Sequence, residues 1–327
     1  TFPVRRATAP STASVSAASR KIPKPQNSLP ANLVSSTTTS SGTNPILSKV
    51  SEFGRFHTGS NPAWIVAEHD SPAYGDAVWH NDAMRALAAV VLLPALAHGA
   101  GNGAAPNLMS VAGAGPTFAL TFDAHAEAQG AAEMLALLRQ RRLHVTIFFT
   151  GRFAERFPGI VAAASRDGHE IGNHTYSHPH LTTWAANSRH DTAGGVSRES
   201  LQLELRRTAE AIAAACGRPP ALLWRAPYGE HNGTIRGWAA ELGYLHVDWT
   251  RADGDALDAL DWVERPGQRA YMNAEAMARR LLAFERKTGV PLAGSIILMH
   301  LGSPRPDQPL LEALPIVLDE TDRRGLR

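Results

Sequence analysis

The sequence predicts an α/β protein built on a distorted (β/α) barrel, and three observations lead there. Short apolar, β-rich runs alternate with helix-length segments from about residue 116 onward. Those runs are apolar almost throughout, as strands buried on both faces by flanking helices must be. Polar residues with catalytic chemistry fall at or just beyond the C-terminal ends of the runs, the rim on which a parallel barrel gathers its reactive side chains.

Taken in order, the runs predict strands over 117–123, 145–151, 169–175, 221–227, 244–250 and 295–301. Helical spacing of apolar residues predicts helices over 131–142, 199–217, 234–243 and 274–289. Alternation alone fits an open doubly wound sheet as well as a closed barrel. The rim placement of Asp123, His174, Arg225, Trp249 and His300 favours the barrel, an incomplete one because fewer than eight strands are visible.

The first 83 residues read differently. Residues 1–41 are a Ser/Thr/Ala/Pro mixture with scattered basic residues, too poor in apolar surface to offset chain entropy and expected to be disordered. Met84 is the first methionine, and 84–101 has the layout of a signal peptide: Met84-Arg85, an apolar run over 86–97, then small residues. The run is too short to span a bilayer as a helix. A buried helix is the competing reading, and Pro94 argues against it. These features make Met84 the expected start, 1–83 a spurious upstream extension, and the product secreted or held in the periplasm or cell envelope. The catalytic domain is expected over 112–327, with a C-terminus truncated at Arg327 after a helix-like segment.

Composition narrows the chemistry. Lys plus Arg (32) nearly balances Asp plus Glu (30), which excludes the basic footprint of a nucleic-acid binder. One cysteine, Cys216, excludes an internal disulfide framework and a thiolate-rich zinc site. With 14 histidines, a metal site would be built from imidazole and carboxylate.

His174 and His178 are spaced so that a helical turn would put both on one face, able to share an ion; a pair of strand-end or surface histidines is the plainer alternative. Asp123 ends the run Phe118–Phe122 and suits a general base for water. A helix N-cap is its alternative role, disfavoured by the distance to residue 131. Arg225, after an apolar strand, needs a carboxylate partner such as Asp123 if buried, and an ordinary ion pair explains it equally well. Pro227 and Gly229 mark a tight turn that could aim backbone N–H groups at an oxyanion. His300 closes an apolar strand as either a core histidine or a general acid, with Asp258 and Asp261 as candidate partners. Trp184, Trp249 and Tyr228 are candidates for stacking on a ligand ring or for the core.

In order along the chain, these segments resemble the five motifs of the polysaccharide deacetylase family, also called carbohydrate esterase family 4 or the NodB homology domain. The resemblance runs from about residue 116 to the end. Thr121-Phe122-Asp123-Ala124 matches the family's Thr-Phe-Asp-Asp, and implies Asp123 as catalytic base. His174-Thr175-Tyr176-Ser177-His178 matches its His-Ser/Thr-x-x-His, and implies His174 and His178 as metal ligands. Arg225-Ala226-Pro227-Tyr228-Gly229 implies that Arg225 orients the base and that the Tyr228 N–H holds the oxyanion. Asp258-Ala259-Leu260-Asp261-Trp262 implies that Asp261 tunes the acid. Leu298-Met299-His300 implies His300 as general acid, with Leu298 and Trp262 walling an acetyl pocket. The resemblance implies a distorted (β/α) barrel, a divalent ion, usually Zn2+, and hydrolysis in which Asp123 takes a water proton and His300 protonates the leaving nitrogen or oxygen.

Two departures stand out. The second Asp of the first motif, the family's usual third metal ligand, is Ala124 here, and alanine has no donor. His125 is the expected substitute, giving three imidazoles and an open position; Glu127, extra water, or loss of the metal are the fallbacks. Extra sequence over 251–256, carrying Asp253 and Asp255, is expected to form a loop near the groove. The expected substrate is an N-acetylated polysaccharide, peptidoglycan or chitin-like. The alternatives are acetylxylan-type O-deacetylation, another amide, or a metal-deficient carbohydrate-binding homologue. Neither a nucleic-acid partner nor a stable membrane span is expected.

Overall fold

A computed structural model describes residues 105–327; the expectations for 1–83 and 84–101 lie outside the described residues. The strands are β1 (Asn107–Leu108), β2 (Ala119–Ala124), β3 (Thr146–Phe149), β4 (Glu170–Asn173), β5 (Leu223–Trp224), β6 (Leu245–Val247), β7 (Arg251–Ala252), β8 (Asp255–Ala256) and β9 (Ile296–His300). Seven of them form one sheet in the order β1-β6-β5-β4-β3-β2-β9, and every pairing in it is parallel.

The sheet curls into a distorted barrel because its two edges meet without a regular ladder. Ser110 bridges Ser295, and Asp258 bridges Leu298. Leu298 N–H donates to Leu257 O (2.8 Å) and Thr250 N–H to Ile296 O (3.0 Å), so irregular chain fills the place of a further strand. All six expected strands are present, each shorter than its apolar run. β1 is an addition that the sequence did not announce. Its two residues are too few to carry a periodicity, and pairing with β6 alone makes them a strand.

Side-chain alternation along β2 builds two separate cores. Phe118, Leu120, Phe122 and Ala124 point outward into the main apolar cluster beneath the helices. Ala119 points inward, joining Phe148, Leu223, Val247, Trp249, Ile296 and Leu298 in the barrel lumen. Thr121 and Asp123 share that inward parity and are also buried. A run apolar on its outer face can therefore deliver a carboxylate to the interior.

The helices are α1 (Ala131–Gln140), α2 (Gly151–Arg156), α3 (Pro158–Arg166), α4 (Trp184–Asn187), α5 (Arg198–Cys216), α6 (Gly233–Ala240), α7 (Ala274–Leu282), α8 (Phe284–Thr288) and α9 (Pro309–Arg323). Their starts follow from capping chemistry. Thr150, Asn232 and Asn273 accept the N–H of Phe153, Ile235 and Ala276 at the heads of α2, α6 and α7. Ser197 and Ser200 form a reciprocal capping box on α5. The single helix expected over 274–289 is two, α7 and α8, joined at Ala283. Among the described residues no helix is long and apolar enough to cross a membrane.

The extra sequence over 251–256 is an antiparallel hairpin, β7 paired with β8. Its turn residues Asp253 (φ 49°) and Gly254 (φ 75°) both take the left-handed backbone that a two-residue hairpin of this twist requires. Asp255 is tied to Arg280 at 2.7 Å, a bond that anchors the hairpin to α7.

Candidate active site

β2, β4, β5 and β9 end on the same rim, and each delivers one or more of the predicted side chains. Asp123 does not cap α1, whose N-cap is Gly130. Its Oδ1 accepts from Arg225 Nη1 at 2.9 Å. Arg225 is fully buried, stacked over Phe148 at 4.4 Å, and every arm of its guanidinium is used. Nη2 donates to Thr121 Oγ1 (2.9 Å) and Asp248 O (3.1 Å), and Nε to Val247 O (3.0 Å). A buried cation satisfied this completely is stable, and it fixes the orientation of the carboxylate it holds. Burial pushes the Asp123 pKa up, but Arg225, His174 and His300 outweigh it and hold the carboxyl below its ordinary value.

The His174–His178 segment is not the helical turn that its spacing suggested. Thr175 (φ 62°) and His178 (φ 57°) take left-handed backbone, and the segment is a loop folded around buried acceptors. Asn173 Oδ1 accepts from Thr175 N–H at 3.0 Å. Glu204, on α5, accepts from Tyr176 N–H (2.8 Å), Ser177 N–H (2.7 Å) and the Ser177 hydroxyl (2.9 Å). The rings of His174 and His178 nevertheless meet edge to face, centroids 4.9 Å apart. On the far side His125 stacks on His178 at 4.6 Å, whereas Glu127 turns outward to Arg156 at 3.8 Å.

Protonation within this cluster follows from its surroundings. Burial leads in lowering the pKa of His174 and His178, and the neighbouring imidazoles add to the effect on His178. His125, which keeps an exposed side, is lowered by its partial burial and then by the charge of His300. His174 Nδ1 lies 2.9 Å from Arg225 O; a carbonyl only accepts, which assigns the proton to Nδ1. Nε2 is then a bare lone pair 3.5 Å from Asp123 Oδ2. Two acceptors facing each other in a buried site are suited to a cation between or beside them. Three neutral imidazoles next to one carboxylate are the donor set that a zinc-type ion takes. As placed, no three His, Cys, Asp or Glu side chains among the described residues form a complete metal site. The fit lies in the chemistry of the donors.

His300 stands across the cluster, its ring 6.1 Å from that of His125. Of its two candidate partners the structure selects Asp261. The His300 Nδ1–H donates to Asp261 Oδ1 and the His300 backbone N–H to Oδ2, both at 2.9 Å. Asp258 instead accepts from Leu260 N–H (2.8 Å) and Trp262 Nε1 (3.4 Å). Burial opposes a charge on His300, but Asp261 leads Asp123 and Asp258 in overcoming it, raising the pKa to about 9.

Tyr228 sits in the Pro227–Gly229 turn with left-handed backbone (φ 58°). The turn's own bonds, Gly229 N–H to Ala226 O and Glu230 N–H to Pro227 O, do not use the Tyr228 N–H. Its ring packs on His178 at 4.5 Å and lies flat on His180 at 4.2 Å. Leu298 is buried in the lumen and Trp262 is half exposed. Trp249 is buried, so of its two readings the core one holds. Asp255 serves the ion pair with Arg280.

Sequence reasoning missed Thr121, Glu204, Asp248 and the His180–Glu230 pair (2.7 Å). Glu204 is one acid among several in a long helix, with no local mark that it faces a loop near 176. Asp248 holds His231 (3.1 Å) and Arg251 (3.2 Å); its position at a strand end was the available signal.

The profile described as polysaccharide deacetylase matches residues 111–247. A peptidoglycan-N-acetylglucosamine deacetylase of Bacillus cereus is 29% identical over 209 residues, 64% of this chain and 64% of that protein, so the match takes in less than two thirds of its length. A chitooligosaccharide deacetylase of Sinorhizobium fredii is 33% identical over 193 residues, 59% of this chain and 75% of that protein. A crystal structure of a peptidoglycan N-acetylglucosamine deacetylase bound to a naphthyl hydroxamate superposes with a TM-score of 0.54 at 27% identity, covering 68% of this chain and 88% of that one. Curled sheet, rim and relatives agree, and this chain belongs to the polysaccharide deacetylase family.

Proposed function

We propose that this protein is a metal-dependent hydrolase that removes acetyl groups from an N-acetylated polysaccharide of the peptidoglycan or chitin type. The observation that carries the proposal is one row of groups at the rim, with Asp123 aimed by Arg225 (2.9 Å) at one end, His300 held by Asp261 (2.9 Å) at the other, and the rings of His174, His178 and His125 between them. Asp123 is held ionised, His300 is held protonated, and three imidazoles between them are held neutral. Environments that push neighbouring groups apart in this way mark a base and an acid.

In the proposed reaction Asp123, aimed by Arg225, accepts a proton from the water that attacks the acetyl carbonyl. The Tyr228 N–H donates to the oxygen on which negative charge develops. His300, held by Asp261, gives its proton to the leaving nitrogen as the carbon–nitrogen bond breaks, releasing acetate and a free amine. Leu298 and Trp262 wall the acetyl methyl. His174, His178 and His125 would hold the divalent ion, zinc by donor type, which when bound supplies Lewis acidity to the carbonyl and the water. Secretion or retention in the cell envelope is part of the proposal, supported by the layout of 84–101 and by where such polymers lie. N-terminal sequencing of the mature protein tests it.

The deciding experiment is acetate release from N-acetylglucosamine oligomers by the full chain, stripped of metal and then given zinc. The expected result is zinc-dependent release, abolished by Asp123→Asn and weakened by His125→Ala. A folded protein that neither binds zinc nor releases acetate would overturn the proposal in favour of a carbohydrate-binding homologue.

A further inference from the structure

Among the described residues, the large apolar side chains left exposed are Trp184, Leu203, Leu222, Tyr228, Trp262 and Ile316. The three aromatics in that set are tied to the rim of the site. Tyr228 packs on His178, and Trp262 bonds Asp258 beside the Asp261–His300 pair. Trp184 has no part in the reaction as described, yet it is 47% exposed.

Its loop is built to keep it there. Residues 182–192 close on themselves through a Thr182–Thr192 bridge, and Thr183 N–H donates to Asp191 O at 2.9 Å. Asn232, which caps α6 four residues after Tyr228, reaches back to His190 O (2.9 Å) and Thr192 Oγ1 (3.0 Å). His190 then lies flat against one face of Trp184, centroids 4.7 Å apart and planes 19° from parallel. The same His190 ring is 6.4 Å from His231, which follows Tyr228 by three residues and is held by the buried Asp248.

An indole braced on one side, exposed on the other and pinned to the oxyanion turn is a preorganised stacking surface. The apolar C–H face of a pyranose carries partial positive charge, which complements the electron-rich face of the ring. We propose that Trp184, with His190 behind it, binds a second pyranose ring of the same glycan chain, on the Tyr228 side of the ring being deacetylated. The substrate is therefore an oligomer or polymer whose length is read at Trp184. This inference rests on the deacetylase proposal.

The test uses the full chain, Trp184→Ala and Trp184→Phe, with N-acetylglucosamine oligomers from dimer to hexamer. The expected result is that Trp184→Ala lowers the hexamer-to-dimer ratio of kcat/KM by about tenfold, the size of one good aromatic contact, mainly through KM. Trp184→Phe should restore most of the ratio. Hexamer binding to the Asp123→Asn protein, read by titration calorimetry without turnover, separates this inference from the proposed activity. Binding that Trp184→Ala weakens supports the second-ring site even if no acetate is released. An unchanged kcat/KM ratio, or hexamer binding that is absent or indifferent to Trp184→Ala, overturns it.

Discussion

Asp261→Asn removes the charge that keeps His300 protonated. The substitution is nearly isosteric and keeps one oxygen to accept from the ring, but it removes the anion 2.9 Å from Nδ1 and the acceptor that Oδ2 gives the His300 backbone N–H. In the native site burial disfavours the imidazolium, while Asp261, Asp123 and Asp258 together hold its pKa at about 9. Without the leading favourable partner, burial prevails and the pKa falls to about 6.5, the ordinary histidine value, or below. At pH 8 a group with a pKa of about 9 is about nine-tenths protonated; at about 6.5 it is about 3% protonated, a roughly thirtyfold loss of the acid form. The sign follows from the role, since an acid is competent below its pKa and silent above it. Acetate release followed as kcat/KM from pH 5.5 to 10 should show the alkaline limb of the native enzyme near pH 9, and that of Asp261→Asn displaced to pH 6.5 or lower. An alkaline limb that stays near 9 in the variant would refute the pairing. So would a uniform loss with the limb unmoved, because it would mean that Asp261 acts through the His300 backbone N–H and not through the charge on the ring. Stability gives a second readout with the same sign. The native pKa lies above the unfolded one, so the His300–Asp261 contribution is full below about pH 6.5 and fades as pH rises through about 9. Thermal unfolding at pH 6 and pH 10 should differ less in Asp261→Asn than in the native chain.

Three further substitutions probe the rest of the site. Arg225→Met leaves Asp123 buried without its main partner, so unfolding free energy should fall by about 3–5 kcal/mol in urea titrations, and the acid limb of kcat/KM should move upward as the Asp123 carboxyl becomes harder to ionise. Glu204→Gln loosens the loop that carries His174 and His178; zinc affinity, measured by competition with a chelator, should drop about 10- to 100-fold, and an unchanged affinity would remove Glu204 from any role at the site. Gly229→Ala puts a methyl 2.7 Å from Trp249 Cη2 and 2.8 Å from Arg251 Nη2, at a φ of 65°. The turn must shift, so kcat should fall more than KM changes, with a lowered Tm; a kcat equal to that of the native enzyme would show that the Tyr228 N–H is not held by this turn.

The sequence by itself determined the elements whose signal is local. Apolar runs located six of the seven strands of the sheet, because a strand buried on both faces writes its burial into consecutive residues. Strand-end position and motif order singled out Asp123, Arg225, His174, His178 and His300, whereas the inward turn of Asp123 is a property of the folded β2. What lies far apart in sequence was settled only by the tertiary structure. Asp258 and Asp261 are three residues apart and alike in type, and only the parallel approach of residues 257–259 to β9 decides which of them meets His300. The spacing of His174 and His178 suggested a helical turn, whereas the left-handed backbone at Thr175 and His178 is imposed by acceptors on Asn173 and Glu204. Trp184 and Trp249 carry the same two readings on the sequence, stacking surface or core, but the lumen of the barrel buries Trp249 while a self-closing loop holds Trp184 in solvent. Periodicity records which face of an element is covered; it carries no information about which distant group does the covering, and at this rim distant groups set the charge and orientation of the reactive side chains.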